Sequence, residues 1–306
     1  MPQPIPAADL AAWCHRWLGA PPVGVLFEAG YLSAVIGVQL ADGRKVVVKT
    51  REPVARLVAC VQVQRHLHAA GFACPEPLAG PAPLGALDAT AEAYISGGEL
   101  LAPTPDAPRL YAEALAVSVA LAPPIAALPT LQPPLPWVFW DHEQPGIWPI
   151  PDERHIDLNA QPGPVWLDNA AQRARQRLMR CDLPPVAGHV DWYPGNLRWD
   201  DHHLYVAHDW DSIVARPEAA IAGVAAACFL STMSYAPTVA ETDAFLEAYA
   251  RARGYPWSAD EHEICWAAGL WLRTYDAKKE LVLHADHTLL NRLEAEADER
   301  LRLAAA

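Results

Sequence analysis

Two carboxylates and one carboxamide are the groups of this 306-residue chain best placed by type and spacing to do chemistry. They stand in His189-Val190-Asp191-Trp192-Tyr193-Pro194-Gly195-Asn196 and in Val206-Ala207-His208-Asp209. Asp191 and Asn196 are five residues apart on a tight Pro-Gly loop, and Asp209 follows Asp191 by eighteen residues, closing a short apolar run. Oxygen ligands of this kind suit Mg²⁺, and a carboxylate beside them can take or orient a hydroxyl proton. With 12 His, 19 Asp and 4 Asn in the chain, shuffling yields His-x-Asp-x-x-x-x-Asn on the order of 0.01 times. The implied chemistry is phosphoryl transfer, which needs positioning and charge neutralisation more than covalent catalysis. In that scheme Asp191 is the catalytic base, Asn196 and Asp209 hold the metal, and His189 serves the catalytic loop by bracing it with hydrogen bonds. Asp211 stands near the metal or caps the next turn. His202, His203 and His208 lack the spacing of a zinc site.

A phosphate-binding half should lie upstream. Lys49 closes the run Val46-Val47-Val48, where an unpaired ammonium is costly. It either reaches into a cleft to hold nucleotide phosphates or snorkels to water from a strand end. Val47 shares its strand face and would wall an adenine. Before it, Gly30 permits close backbone approach, and Tyr31 to Ser33 offer N–H groups. That turn can cover phosphates or be an ordinary hairpin.

The elements that must position these residues are legible in outline. Asp9 to Leu18 has helical spacing of apolar residues. Val23 to Glu28, Ser33 to Leu40 and Lys45 to Lys49 read as three antiparallel strands, with Asp42-Gly43 in the second turn. Pro53 to Ala70 reads as a helix stopped by Gly71, Phe72 to Leu78 as extended chain, and Ala91 to Ser96 as a strand running into Gly97-Gly98. The Gly-Gly break divides a nucleotide-binding lobe, 1–96, from a helical catalytic and acceptor-binding lobe, 97–306. In the second lobe Asp106 caps a helix to about Leu121, Trp166 to Arg180 is amphipathic, and Arg216-Pro217-Glu218 starts a small-residue helix. Thr238-x-x-Glu241 and Ser258-x-x-Glu261 are capping boxes. Between the helix ending near Leu121 and that starting at Trp166, Ala122 to Pro151 holds nine prolines with Trp137, Phe139, Trp140 and Trp148. These rings must pack on something. Together with Asp141, Glu143, Asp152, Glu153 and Asp157 they could receive an amine-bearing ligand, although solvated acids over packed rings are favoured.

Composition narrows the classes. Apolar residues at 52% and charged residues at 19% suit a globular chain with a sizeable core. A net charge of −13 argues against nucleic acid and suits a cationic small molecule. Six scattered cysteines read as free buried thiols, and no run is long enough to span a bilayer. A cytoplasmic location with no membrane partner is the expectation.

At these residues the chain resembles the aminoglycoside phosphotransferase family, which is similar to choline kinases and has a protein-kinase-like fold. That family carries His-Gly-Asp-x-x-x-x-Asn and then an Ile-Asp-Trp/Phe motif, matched here by His189 to Asn196 and by His208-Asp209-Trp210. The resemblance implies an α+β, two-lobed fold with a small antiparallel sheet lobe and a larger helical one. It implies ATP and Mg²⁺ as cofactors and a hydroxyl of a small molecule, an antibiotic or a metabolite, as acceptor. It makes Lys49 the phosphate lysine and places the adenine on backbone groups of Glu92, Ala93 and Tyr94. One departure stands out. The family's lysine pairs with a glutamate on the following helix, whereas here the only acid between Lys49 and Glu76 is Glu52. Gln62 or Gln64 occupies the helix position, so Lys49 is expected to lack its acid or to borrow one such as Glu28, with weakened turnover.

Overall fold

The computed structural model describes residues 5–30, 33–153, 156–232, 234–283 and 287–306. Helix α1 (Ala7–Leu18) precedes strands β1 (Pro22–Ala29), β2 (Ala34–Leu40) and β3 (Lys45–Arg51); helix α2 (Arg56–Ala69) follows, then β4 (Pro77–Leu84) and β5 (Leu87–Ala93). All pairings are antiparallel, in the order β1-β2-β3-β5-β4. The three expected strands and both helices are present, although α2 begins three residues beyond Pro53.

The hairpin β4–β5 departs from expectation. Phe72 to Leu78 was read as plain extended chain and the later strand as reaching Ser96; instead the strand ends at Ala93 and a fifth strand flanks it. Pro77, Pro81 and Pro83 hid that strand. Proline is tolerated there because β4 is the sheet edge and needs no outward donors.

Alternation along β3 gives the sheet two different faces. Val46 and Val48 are fully buried against α1, with Leu10, Trp13, Val38 and Ala89. Val47 and Lys49 point the opposite way. Helix α2 lies toward that second face, but its apolar side joins the larger core: Ala59, Cys60, Val63 and Leu67 cluster with Tyr111, Trp192 and Trp210.

The rest of the chain is α3 (Ala107–Leu121), α4 (Val165–Met179), β6 (Pro185–His189), β7 (Leu197–Asp200), β8 (His203–Ala207), β9 (Ile213–Pro217), α5 (Glu218–Cys228), α6 (Val239–Arg253), α7 (Ala259–Leu283) and α8 (Thr288–Leu303). Both capping boxes form: Thr238 with Glu241, and Ser258 with Glu261. Asp106 precedes α3 but makes no side-chain cap bond. Helices α5 and α7 cross closely, since a Cβ on Gly223 would stand 2.0 Å from the Cys265 carbonyl oxygen. No helix among the described residues is long and apolar enough to cross a membrane.

The Trp-rich segment packs its tryptophans inward while its prolines and Phe139 line a cleft. Trp140 and Trp148 are buried. Asp141 pairs with Arg216, whose guanidinium lies 4.4 Å over the Trp140 ring, and Glu153 pairs with Lys279. Asp157 caps its own turn, accepting from the Asn159 N–H at 2.9 Å. Asp152 differs: with Arg51, Arg56, Phe139 and Gln144 it lines a cleft of about 770 Å³.

Candidate active site

The catalytic loop is fixed between two ribbons. Strand β6 pairs with β9, His189 opposite Ile213, and then the chain turns through Asp191 into a 3-10 turn at Pro194–Asn196 before β7. The hairpin β7–β8, turning at Asp201-His202, returns it to His208 and Asp209. The His208 N–H donates to the Asn196 carbonyl at 2.8 Å, so loop and metal segment are bound directly to each other.

His189 is 1% exposed. Its Nδ1 accepts from the Asp191 N–H at 3.2 Å, which leaves Nε2–H to donate to the His208 carbonyl at 3.0 Å. Burial lowers its pKa to about 4, so it is a neutral brace. The Asn196 side-chain amide donates to the Asp191 carbonyl at 2.9 Å and to Asp191 Oδ2 at 2.8 Å. That orientation commits the NH₂ group and leaves Asn196 Oδ1 available as a ligand oxygen. Burial first, and then the charge of Asp209, raise the Asp191 pKa to about 7.

Asp209 adopts φ 64° and ψ 48°, an unusual conformation for a non-glycine residue and one that clusters at functional sites. Burial works against its charge, but Lys49 and Arg51 outweigh it and hold the carboxyl well below its usual range. Asp211 faces Arg51 in an ion pair; it does not stand free beside the metal segment. Among the described residues no three His, Cys, Asp or Glu side chains converge as a metal group. Asn196 and Asp209 therefore offer only part of a coordination shell, which is how Mg²⁺ is usually held when phosphates and water complete it.

On the sheet, Lys49 Nζ lies 3.6 Å from Asp209 Oδ1, which brings the upstream lysine to the downstream loop. It also lies 3.3 Å from Glu92 Oε1. The expectation of a lysine without its acid is corrected: Glu92 supplies one from β5, while Glu28 is exposed on the edge strand. Burial would depress the Lys49 pKa, but Glu92, Asp209 and Asp211 raise it above its ordinary value.

Val47 shares the face of Lys49. Gly30 has φ 139°, and a Cβ there would meet the Ser33 carbonyl oxygen at 1.9 Å, so only glycine fits this turn. Tyr31 lies outside the described residues. At the end of β5 the Ala93 N–H donates to the Glu76 carbonyl and the Tyr94 N–H to the Lys45 carbonyl, both within the sheet. The next main-chain donor, Ile95, has no partner among the described residues. Sequence reasoning missed Ile95 and the Glu92 side chain. It also missed Asp276 on α7, which is partly exposed, has no hydrogen-bond or ion-pair partner among the described residues, and bears electrostatically on Asp191. Burial raises the Asp276 pKa to about 6.

A lysine on a five-stranded antiparallel sheet, facing an Asp/Asn loop and a following aspartate on a helical body, defines a protein-kinase-like phosphotransferase. The sequence model of the phosphotransferase enzyme family, APH, matches residues 24–262, and the chain belongs to that family. It is an enzyme fold shared with several solved structures. The amicoumacin kinase hAmiN, solved with AMP-PNP, Ca²⁺ and Ami, is 11% identical, with TM-score 0.62 over 90% of this chain and 88% of that one. Aminoglycoside phosphotransferase APH(4)-Ia, in a thermostable mutant with ADP and hygromycin B, is 15% identical, with TM-score 0.60 over 97% and 99%. A choline/ethanolamine kinase family protein from Mesorhizobium loti is 16% identical, with TM-score 0.53 over 98% and 92%. No curated protein sequence matches.

Proposed function

We propose that this enzyme transfers the γ-phosphate of ATP, with Mg²⁺, to a hydroxyl of an amine-bearing small molecule, an aminoglycoside or related antibiotic. The observation that carries the proposal is the convergence of Lys49 on Asp209, in a segment bonded through His208 and Asn196 to the loop of Asp191. When bound, Mg²⁺–ATP supplies the phosphoryl group and neutralises the charge that develops on it.

The residues have separate tasks. Asp191 accepts or orients the acceptor hydroxyl proton, and its raised pKa suits a base working near neutrality. Asn196 Oδ1 and Asp209 hold the metal. Lys49 orients the α/β-phosphates, and the turn at Gly30, Tyr31 and Ser33 covers them. Val47 walls the adenine, whose edge meets the chain around Glu92, Ala93 and Tyr94, with Ile95 N–H as the free donor. Residues 1–96 then form the nucleotide lobe and 97–306 the catalytic and acceptor lobe.

A cationic acceptor is supported by Asp276, a carboxyl without a hydrogen-bond or ion-pair partner among the described residues that acts electrostatically on Asp191, and by the net charge of −13. Two neighbours are solved with Ami and with hygromycin B, and one of them is an aminoglycoside phosphotransferase, which supports the same class. All six cysteines are free, as suits a reducing compartment, and we place the enzyme in the cytoplasm, without nucleic-acid or membrane partners. The weak-turnover reading rested on a lysine without an acid, and Glu92 removes that ground.

The test is incubation with Mg-ATP and a panel of aminoglycosides, amino alcohols and sugars, read by mass spectrometry. An ATP-dependent gain of one phosphate on an aminoglycoside is expected. A gain only on an amino alcohol or sugar would move the acceptor to metabolism. Failure to bind Mg-ATP in calorimetry would remove the phosphotransferase proposal.

A further inference from the structure

Register on the sheet explains how Lys49 finds Glu92. Strands β3 and β5 pair Val47 with Glu92 and Lys49 with Thr90, so Lys49 and Glu92 are diagonal neighbours on one face. Diagonal residues are within reach when both side chains are long. The Glu92 carboxylate is also held from its other side: Gln64 Nε2 of α2 donates to Glu92 Oε2 at 2.9 Å and to the Pro75 carbonyl at 3.0 Å. Each carboxylate oxygen thus has one partner, and Glu92 is 7% exposed. The space around Lys49, Cys60, Gln64 and Glu92 is about 20 Å³, room for roughly one water. Among the described residues no other acid pairs with Lys49 except Asp209, which belongs to the segment proposed to hold the metal.

We infer that Glu92 is the positioning acid of Lys49, a strand residue doing the work that the helix residue Gln64 cannot do, with Gln64 as its tether. The inference rests on the phosphotransferase reading of the site. Asp209 draws the ammonium toward the metal segment, and Glu92, fixed by Gln64 and by its own strand, holds it back at the distance from which it meets phosphate. An acid at position 64 would reach the same point from the helix side, because the Gln64 amide already stands against the Glu92 carboxylate.

The probe is Mg-AMP-PNP in titration calorimetry on the full chain, with circular-dichroism melts to confirm folding. Glu92→Gln keeps the shape and removes the charge; affinity should fall at least about 10-fold. The exchange variant Gln64→Glu/Glu92→Gln returns the carboxylate from the helix side and should recover to within about 3-fold of the original protein. In the background of Lys49→Met, Glu92→Gln should cost nothing further, since it acts through the lysine. Unchanged affinity in folded Glu92→Gln overturns the inference. So does an exchange variant no better than Glu92→Gln, or an additive loss in the Lys49→Met background. Absence of Mg-AMP-PNP binding by the unaltered protein sinks the phosphotransferase reading, and this inference with it; binding that is indifferent to Glu92 sinks this inference alone.

Discussion

Asp191 should destabilise the protein it serves, and Asp191→Asn measures by how much. Its pKa rises from 3.8 to about 7 on folding, because the carboxyl is buried and faces the charge of Asp209. Between these values the native protein holds a proton that the unfolded chain has lost, so stability falls as pH rises through that window and the full cost is present above it. Roughly three pKa units at 1.36 kcal/mol each set a ceiling of ~4 kcal/mol. Asp191 is half-buried, and solvent screening reduces the cost to about 1–3 kcal/mol. For a chain of this length the unfolding entropy is roughly 0.6 kcal/mol/K, so a Tm rise of about 2–5 °C is expected for metal-free Asp191→Asn at pH 8. The gain at pH 5 should be less than half that. Turnover should meanwhile fall at least about 100-fold, as for loss of a general base. Thermal melts at the two pH values without divalent cations decide it. An equal gain at pH 5 and pH 8, or none at pH 8, would refute the assignment of burial and Asp209 as the causes.

Four further outcomes follow from the packing and backbone geometry. Gly223→Ala places a methyl against the Cys265 backbone where α5 crosses α7, and should cost about 3 kcal/mol or more in urea denaturation. Arg216→Leu removes two bonds to the Val138 carbonyl, the Asp141 pair and the contact over Trp140, and should cost about 2–4 kcal/mol. Arg109→Ala, which breaks an exposed pair with Glu113, should stay within about 0.5 kcal/mol by the same denaturation assay. Gly30→Ala cannot keep φ 139° without meeting the Ser33 carbonyl, and should weaken Mg-ATP about 10-fold in calorimetry with little change in melting temperature.

What could be read from the sequence was what depends on near neighbours. Asp191 and Asn196 are held together by bonds within six residues, and their spacing announces them. Thr238 and Glu241 satisfy each other three residues apart, and Asp42-Gly43 turns a hairpin whose two strands are contiguous. Glu92 was visible only as a member of a strand. Its side chain acquires meaning from a register with β3 across more than forty residues, and no periodicity reports a register. The proline-bearing edge strand β4 went unread for a related reason: β propensity rejects it, while its place at the sheet edge permits it. Asp276 sits in a long helix of mixed polarity, and only the fold says that its charge bears on Asp191.

The placement of α2 gives the exchanged glutamate a physical consequence. Were the lysine's acid on this helix, as the resemblance in the sequence implies, any separation of helix from sheet would break an ion pair. Here α2 is anchored to the larger body: Ala59, Cys60, Val63 and Leu67 lie in its core, and Arg56 donates to the Ile213 carbonyl at 3.2 Å. The sheet meets that body through Lys49–Asp209, Arg51–Asp211 and Gln64–Glu92. Moving the sheet away from α2 would break the Gln64–Glu92 hydrogen bond, worth about 1.5–3 kcal/mol because one partner is charged. It would leave Lys49 and Glu92 together, since both belong to the sheet. The lysine's ion pair is thereby independent of helix position. Under the proposed function, a shift of the sheet relative to the helix would carry Lys49 and its acid as a unit.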